Sequence, residues 1–110
     1  MTYTIEEIKS KSVPIAKEYN LLSLRLFGSY AKGTATNNSD IDLIMDTGGI
    51  MGFIKYSSLL HKLEEVFECS VDLITNDFSN KEFLKKIKKD EVLLYERWWK
   101  IWIGTNSSLL

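Results

Sequence analysis

Residues 28–43 read GSYAKGTATNNSDIDL, and this stretch carries the strongest signal for both fold and chemistry. It joins a turn of small residues, which lets the backbone approach a ligand closely, to two aspartates separated by one residue. Because side chains alternate across a strand, Asp40 and Asp42 are predicted to point the same way, roughly 7 Å apart. Mg²⁺ is commonly held by one or two carboxylates together with substrate phosphates. The stretch therefore indicates chemistry on a nucleoside triphosphate.

The small-residue turn is the candidate phosphate site. Gly28 and Ser29 directly follow a predicted strand, and a helical turn after them would aim backbone N–H groups at an anion. Ser29 adds a hydroxyl donor, and Lys32 adds a positive charge that can reach phosphates. A structural interpretation stays open, in which Gly28 and Gly33 only shape a tight strand-to-helix turn.

A third acid lies in a later, otherwise apolar segment. Asp72 stands between Val71 and Leu73, where a lone carboxylate is costly to bury without a partner. If this segment pairs beside the strand of the first two acids, Asp72 joins their face. Three carboxylates can hold two metal ions roughly 3.5–4 Å apart, and Asp72 could also accept the proton of an attacking hydroxyl. The alternative is an exposed acid on an edge strand.

Size and composition narrow the class of protein. A chain of 110 residues fits one domain, and its 45% hydrophobic content is ordinary for a folded protein. The net charge of -1 argues against a domain that coats nucleic acid. The single cysteine, Cys69, cannot form an internal disulfide, which favours a reducing compartment. With no predicted signal peptide or membrane span, we expect a cytoplasmic protein that binds neither membranes nor nucleic acid directly.

Periodicity predicts a small α/β (α+β) unit. Pro14 lies within the first helix and could kink or divide it. The second long helix is predicted to bury an apolar stripe that consists of Ile54, Leu59, Leu60, Leu63, Val66 and Phe67. The predicted elements are a helix over 4–19, a strand over 22–27, a helical turn over 30–32, a strand over 40–45, a helix over 51–67, a strand over 70–75, a basic helix over 80–89, and a strand or helix over 91–96.

Together, these motifs resemble the nucleotidyltransferase superfamily that includes DNA polymerase beta. The shared pattern is Gly-Ser, ten residues, Asp-x-Asp, and a later lone Asp in a short strand, and the resemblance extends over roughly residues 5 to 96. It is greatest to the minimal nucleotidyltransferase (MNT) domain proteins of prokaryotes. It implies a small mixed sheet with helices packed on one side. It also implies two Mg²⁺ ions bound by Asp40, Asp42 and Asp72, and ATP bound by Gly28 and Ser29; we add Lys32, Gly33 and Ser39 to the nucleotide-binding set.

The resemblance also implies a partner and a reaction. MNT proteins are often paired with a HEPN-domain toxin, and the antitoxin is thought to transfer AMP from ATP onto a tyrosine of that toxin. One departure is Lys32, where many relatives carry arginine, because lysine lacks the bidentate fork for phosphate. Two alternatives remain: a non-catalytic antitoxin that neutralises its partner by occlusion, and nucleotide transfer to a small molecule or an RNA end.

Two segments near the carboxyl end stand apart from these motifs. The helix over 80–89 is rich in lysine, which is typical of a solvated face and could also dock an acidic partner. We assign residues 1–97 to the nucleotidyltransferase domain and residues 98–110 to a tail that contains Trp98, Trp99 and Trp102. The tail is interpreted as an interface, as a segment packed on its own domain, or as a segment foreign to the family.

Overall fold

A computed structural model of the protein describes residues 2–75 and 91–97. Thr4 and Glu7 form a capping box that starts the first helix, as their spacing predicts. This helix runs through the exposed Pro14 without ending there, so the possible division into two helices is not observed. In chain order the elements are α1 (Ile5–Glu18), β1 (Ser23–Phe27), α2 (Gly28–Lys32), β2 (Ile41–Asp46), α3 (Phe53–Phe67), β3 (Val71–Thr75) and β4 (Val92–Glu96).

The four strands of the described residues form one mixed sheet in the order β3-β2-β1-β4. β1 is antiparallel to both of its neighbours, β2 and β4, whereas β2 and β3 are parallel. The parallel pair requires a crossover, which α3 supplies. The predicted mixed sheet is thereby confirmed, and the segment over 91–96, which periodicity left open, is a strand.

One face of the sheet supplies the core. Ile41, Leu43 and Met45 are fully buried, as their alternation with the acids predicts. They cluster with Ile8 of α1 and Leu59 of α3, among other apolar residues of both helices. The helices thus cover this face, and the alternate side chains of β2, including Asp42, project from the opposite face.

Several sequence predictions were wrong in detail. The helical turn expected over 30–32 spans Gly28–Lys32, and the helix expected over 51–67 begins at Phe53. Ile54 was expected in the buried stripe of α3, but its side chain is 85% exposed. The buried positions of α3 are Leu59, Leu63 and Phe67, and at 3.6 residues per turn Ile54 lies about 140° around the helix from Leu59. The second strand was expected to begin at Asp40, yet β2 begins at Ile41, and Asp40 is the last residue of the preceding loop.

Several predictions fall on parts of the chain that the structure does not describe. The lysine-rich helix over 80–89 and the tail over 98–110 lie outside the described residues, so the domain boundary at residue 97 stays a prediction. Within the described residues, no helix has both the length and the apolar character needed to cross a membrane.

Candidate active site

Asp42 occupies the centre of the site that the sequence predicts. In β2 it lies opposite Phe27, the last residue of β1, and beside Asp72 of β3. Its side chain is partly buried, whereas its neighbours Ile41 and Leu43 are completely buried on the other face. β1 therefore brings the turn that follows Phe27 to the Asp42 carboxylate, and β3 brings Asp72 to it from the other side.

The turn at Gly28 packs directly against that carboxylate. Gly28 has a φ of +73°, a left-handed conformation that L-residues rarely adopt. A Cβ on Gly28 would stand 2.2 Å from Oδ2 of Asp42, so no side chain fits at this position. The glycine therefore allows the backbone of the turn to lie against the acid, and it does more than shape a strand-to-helix connection.

The third acid reaches the site through the parallel pairing of β2 and β3. Asp72 is the direct register partner of Asp42, and its side chain is exposed, whereas Val71 and Leu73 on either side of it are buried. The alternative that Asp72 is an exposed acid on an edge strand is correct about its position, because β3 is an outer strand of the described sheet. The parallel pairing nevertheless places Asp72 next to Asp42, on the same face of the sheet.

A hydrogen-bonded loop delivers Asp40. The backbone N–H of Thr36 donates to Oγ of Ser39 at 2.8 Å, and the N–H of Ser39 donates to the Thr36 carbonyl at 3.0 Å. Beyond Asp40, the N–H of Ile41, the first residue of β2, donates to the Ser70 carbonyl at 3.1 Å. Asp40 is exposed between these two anchored points. In this structure the Ser39 hydroxyl thus closes the loop that positions Asp40.

The remaining predicted residues lie along α2. Among the residues that the structure describes, no side chain caps the amino end of this helix, where Ser29 follows Gly28. Lys32 is exposed in its last turn. Gly33 ends the helix in a left-handed conformation with a φ of 79°, and its N–H donates to the Ser29 carbonyl. Gly33 therefore has a local role as the helix C-cap, and its part in binding nucleotide stays a prediction.

Tyr30 is a residue that sequence reasoning overlooked. Its side chain is 6% exposed and belongs to the core cluster. It anchors α2 in the core, and thereby fixes the turn that begins at Gly28. A large aromatic residue within a turn of otherwise small residues was the signal that could have identified it.

Mutual repulsion and burial make Asp42 electrostatically unusual. Partial burial raises the pKa of Asp42 above its ordinary value of 3.8, and the negative charges of Asp72 and Asp40 raise it further. Asp72 and Asp40 are thus both close enough to act on the carboxylate of Asp42. A cation between them would relieve this repulsion, so the electrostatics favour a bound positive charge.

The donor set suits a hard divalent metal ion. Carboxylate oxygens are the ligands that Mg²⁺ prefers. Within residues 2–75 and 91–97, no group of three or more His, Cys, Asp or Glu side chains is placed so that it could hold a metal ion by itself. Mg²⁺ sites that also bind substrate phosphates do not need one, since phosphates and water fill the remaining positions. The cradle formed by Gly28 and the adjoining acids therefore fits a metal ion that is shared with a nucleotide.

Comparison with protein families agrees with this geometry. The family model described as polymerase beta, nucleotidyltransferase matches residues 10–98. A protein of Methanocaldococcus jannaschii, provisionally named as a protein adenylyltransferase, is 36% identical over 92 residues, which cover 81% of this chain and 92% of that protein. The protein adenylyltransferase MntA of Thermococcus cleftensis is 29% identical over 93 residues, which cover 81% of this chain and 94% of MntA.

Solved structures share the fold. A chain in the crystal structure of a toxin–antitoxin with AMP-PNP superimposes with a TM-score of 0.71 at 21% identity, covering 92% of this chain and 83% of that one. A chain in the complex of the tri-AMPylated Shewanella oneidensis HEPN toxin with its MNT antitoxin gives a TM-score of 0.67 at 18% identity, covering 96% and 89%. The family match and the named relatives, together with this fold, define a nucleotidyltransferase. The chain belongs to the polymerase beta nucleotidyltransferase family.

Proposed function

We propose that this protein is an antitoxin that transfers AMP from ATP onto a tyrosine of a cognate HEPN toxin. The observation that carries the proposal is the position of Asp42, which has Gly28 packed against its carboxylate on one side and Asp72 paired with it on the other. Relatives named as protein adenylyltransferases, and a fold shared with the chains of MNT–HEPN complexes, support the choice of acceptor.

The position of each group supports the role that we propose for it. The amino end of α2, with Gly28 and Ser29, holds the triphosphate, and Lys32 at the other end of α2 supplies a positive charge toward it. Asp40 and Asp42, together with Asp72, hold two Mg²⁺ ions. When bound, these ions neutralise phosphate charge and stabilise the charge that develops on the transferring group. Gly33 and Ser39 fix the turn and the loop from which these groups project.

In the reaction, the tyrosine hydroxyl of the acceptor attacks the α-phosphorus of ATP. A new O–P bond forms, the bond between the α-phosphorus and the bridging oxygen breaks, and pyrophosphate leaves. Asp72, which is exposed on the outer strand β3 of the described sheet, accepts the hydroxyl proton. An acceptor carried by a partner protein suits this arrangement, since the acids lie at the surface. We place the reaction in the cytoplasm.

The test incubates the purified protein with ATP labelled at the α-phosphate, Mg²⁺ and the HEPN protein encoded beside it. We expect label on the partner, and its loss when the acceptor tyrosine is replaced by phenylalanine. The Asp40→Ala plus Asp42→Ala variant should abolish labelling while it still binds the partner. Glu65→Ala, which removes an exposed acid of α3, is the matched control and should label normally.

Three outcomes would contradict the proposal in whole or in part. Equal labelling by the wild type and the double aspartate variant would remove the acids from catalysis. Neutralisation of toxicity by a double variant that is folded, bound and unable to label would favour occlusion. Label that appears on a small molecule or an RNA end, and not on the partner, would keep the enzyme class and change the acceptor.

A further inference from the structure

An exposed apolar surface lies where β2 leads into α3, away from the acids. Ile50 is 104% exposed, Phe53 is 81% exposed and Ile54 is 85% exposed. We call these three residues the apolar patch. Single exposed apolar side chains are common, but large ones grouped within five residues are typical of a surface that another group covers.

A groove adjoins the apolar patch. It has a volume of about 440 Å³, and Ile50 and Phe53 are among its lining residues, together with Met51 and Tyr56. One wall is held in place by the Tyr56 hydroxyl, which donates to the Leu73 carbonyl at 2.6 Å. The volume is in the range of pockets that accept a drug-sized group. The groove can therefore take a large aromatic side chain.

The chain leaves the described sheet close to this surface. The N–H of Arg97, the residue after β4, donates to the Leu22 carbonyl at 2.8 Å. The N–H of Leu22 in turn donates to the Asp46 carbonyl at 2.7 Å. The Leu22 side chain lies against Gly48, in the loop that leads to the apolar patch. Leu22 thus links the end of β4 to the loop at the end of β2.

The segment that follows Arg97 has the composition to cover an apolar surface. Residues 98–103 read WWKIWI, and Lys100 is the only charged side chain in residues 98–110. Five residues in extended conformation span up to about 16–18 Å. The end of β2, from which the chain leads to the apolar patch, lies two strand spacings from β4, a distance of roughly 10 Å. Trp102 can therefore reach the apolar patch.

We propose that the tail, residues 98–110, docks on the apolar patch of its own chain and inserts a tryptophan into the adjoining groove. Continuity of the chain favours this occupant over a second molecule, because the tail starts beside the loop that carries the patch. The docked tail covers the end of the sheet opposite the acids, since β2 begins beside Asp40 and ends at the loop before the patch. The inference does not depend on the proposed reaction.

The sequence offers a direct probe, since the chain has three tryptophans and all of them, Trp98, Trp99 and Trp102, lie in the tail. Selectively excited tryptophan fluorescence of the full chain therefore reports the tail alone. We expect short-wavelength emission that is protected from acrylamide. Both features should be independent of protein concentration, because the contact is within one chain.

The decisive variant replaces Ile50, Phe53 and Ile54 by serine. It should shift the emission to longer wavelength and lose the protection from acrylamide, while the circular dichroism spectrum is unchanged because these side chains are exposed. Leu93→Ser is the matched control. Leu93 is also an exposed apolar residue, at 45%, but it lies on β4, and its replacement should leave the emission unchanged.

A second measurement tests proximity. In a Cys69→Ser background, Phe53→Cys and Trp102→Cys should form a disulfide within one chain under mild oxidation, whereas Leu93→Cys and Trp102→Cys should not. The proposal is overturned if wild-type emission is already that of exposed indole, or if the triple serine variant leaves it unchanged. It is also overturned if protection develops only as the protein dimerises or only after the HEPN partner is added, since another molecule then covers the patch.

Discussion

The backbone of Gly28 lies so close to the carboxylate of Asp42 that a Cβ on this glycine would stand 2.2 Å from Oδ2. This contact joins the predicted phosphate turn to the predicted metal site. A substitution in the turn is therefore expected to displace the carboxylate of Asp42.

Gly28→Ala should reduce both activity and stability. The new methyl group displaces Asp42, and a misplacement of about 1 Å near a reacting group can cost about 100-fold in rate. An L-residue at a φ of +73° also destabilises the fold by about 1–2 kcal/mol. Transfer of labelled AMP and urea unfolding measure the two effects.

Gly48→Ala is the matched control for this change. Gly48 has nearly the same φ, +74°, but its Cβ would meet the side chain of Leu22 and no carboxylate. It should lose comparable stability and keep its activity per folded molecule. Equal activity loss in both glycine variants would show that backbone strain, and not the contact with Asp42, is responsible.

Asp42→Asn should make the ligand-free protein more stable at neutral pH while it loses activity. Because the pKa of Asp42 is raised in the folded state, ionising this group opposes folding. The protonated carboxyl of Asp42 is the form that favours the folded state. Its contribution to the free energy of unfolding is fully present below pH 3.8, the ordinary pKa, and is lost as the pH rises through the higher folded pKa. The variant should gain up to about 1 kcal/mol at pH 7, in the range of partly exposed charge interactions.

Urea unfolding of wild type and variant across a pH series checks this sign. The difference between them should disappear in acid, below the ordinary pKa of aspartate. Added Mg²⁺ should stabilise the wild type and leave Asp42→Asn unchanged. Glu65→Gln controls for the change in net charge, and a gain of stability there, equal to that of Asp42→Asn, would contradict a specific cluster of acids.

Ser39→Ala should raise the Mg²⁺ concentration needed for half-maximal activity. It removes the acceptor of the 2.8 Å hydrogen bond from Thr36, and with it the closure of the loop before Asp40. A hydrogen bond contributes about 0.5–1.5 kcal/mol, which corresponds to a change of about 2- to 10-fold. Ser39→Thr keeps the hydroxyl and should restore the Mg²⁺ dependence. If Ser39 contacts the nucleotide instead, the KM for ATP rises at saturating Mg²⁺.

Thr4→Ala should destabilise the protein by about 1 kcal/mol without changing activity per folded molecule. The variant removes the side chain that accepts from the N–H of Glu7, which is half of the capping box of α1. Thr2→Ala, at an exposed position outside the cap, should change the unfolding free energy by less than about 0.5 kcal/mol. Thermal unfolding of both variants measures the difference.

The sequence predicted the parts of this protein that depend on local pattern. Alternation of Ile41 and Leu43 with Asp42 indicated both the strand and its buried face, and the spacing of Thr4 and Glu7 indicated the start of α1. The contact between Gly28 and Asp42 could not be predicted in this way. It depends on the antiparallel register that places Phe27 opposite Asp42, and register is a property of the assembled sheet.

The error at Ile54 and the open assignment of residues 91–96 have the same origin. Ile54 fitted the apolar spacing of a helix. Which face of α3 is buried, however, depends on the elements that pack against it, and the buried face is the one that carries Leu59 and Leu63. Residues 91–96 had no decisive period because Leu94 is buried whereas Leu93 is exposed, beside a register shift in β4. Only its pairing with β1 identifies this segment as a strand.

The parallel pairing of β2 with β3 also has a consequence for the order of events during synthesis. A growing chain carries the glycine turn, Asp40 and Asp42 before α3 is made, but Asp72 arrives only when α3 has crossed over and β3 has aligned with β2. Under the proposed roles, a chain still on the ribosome lacks its proton acceptor. Catalytic competence is therefore acquired late, and a truncated product that ends within α3 would be inert toward ATP.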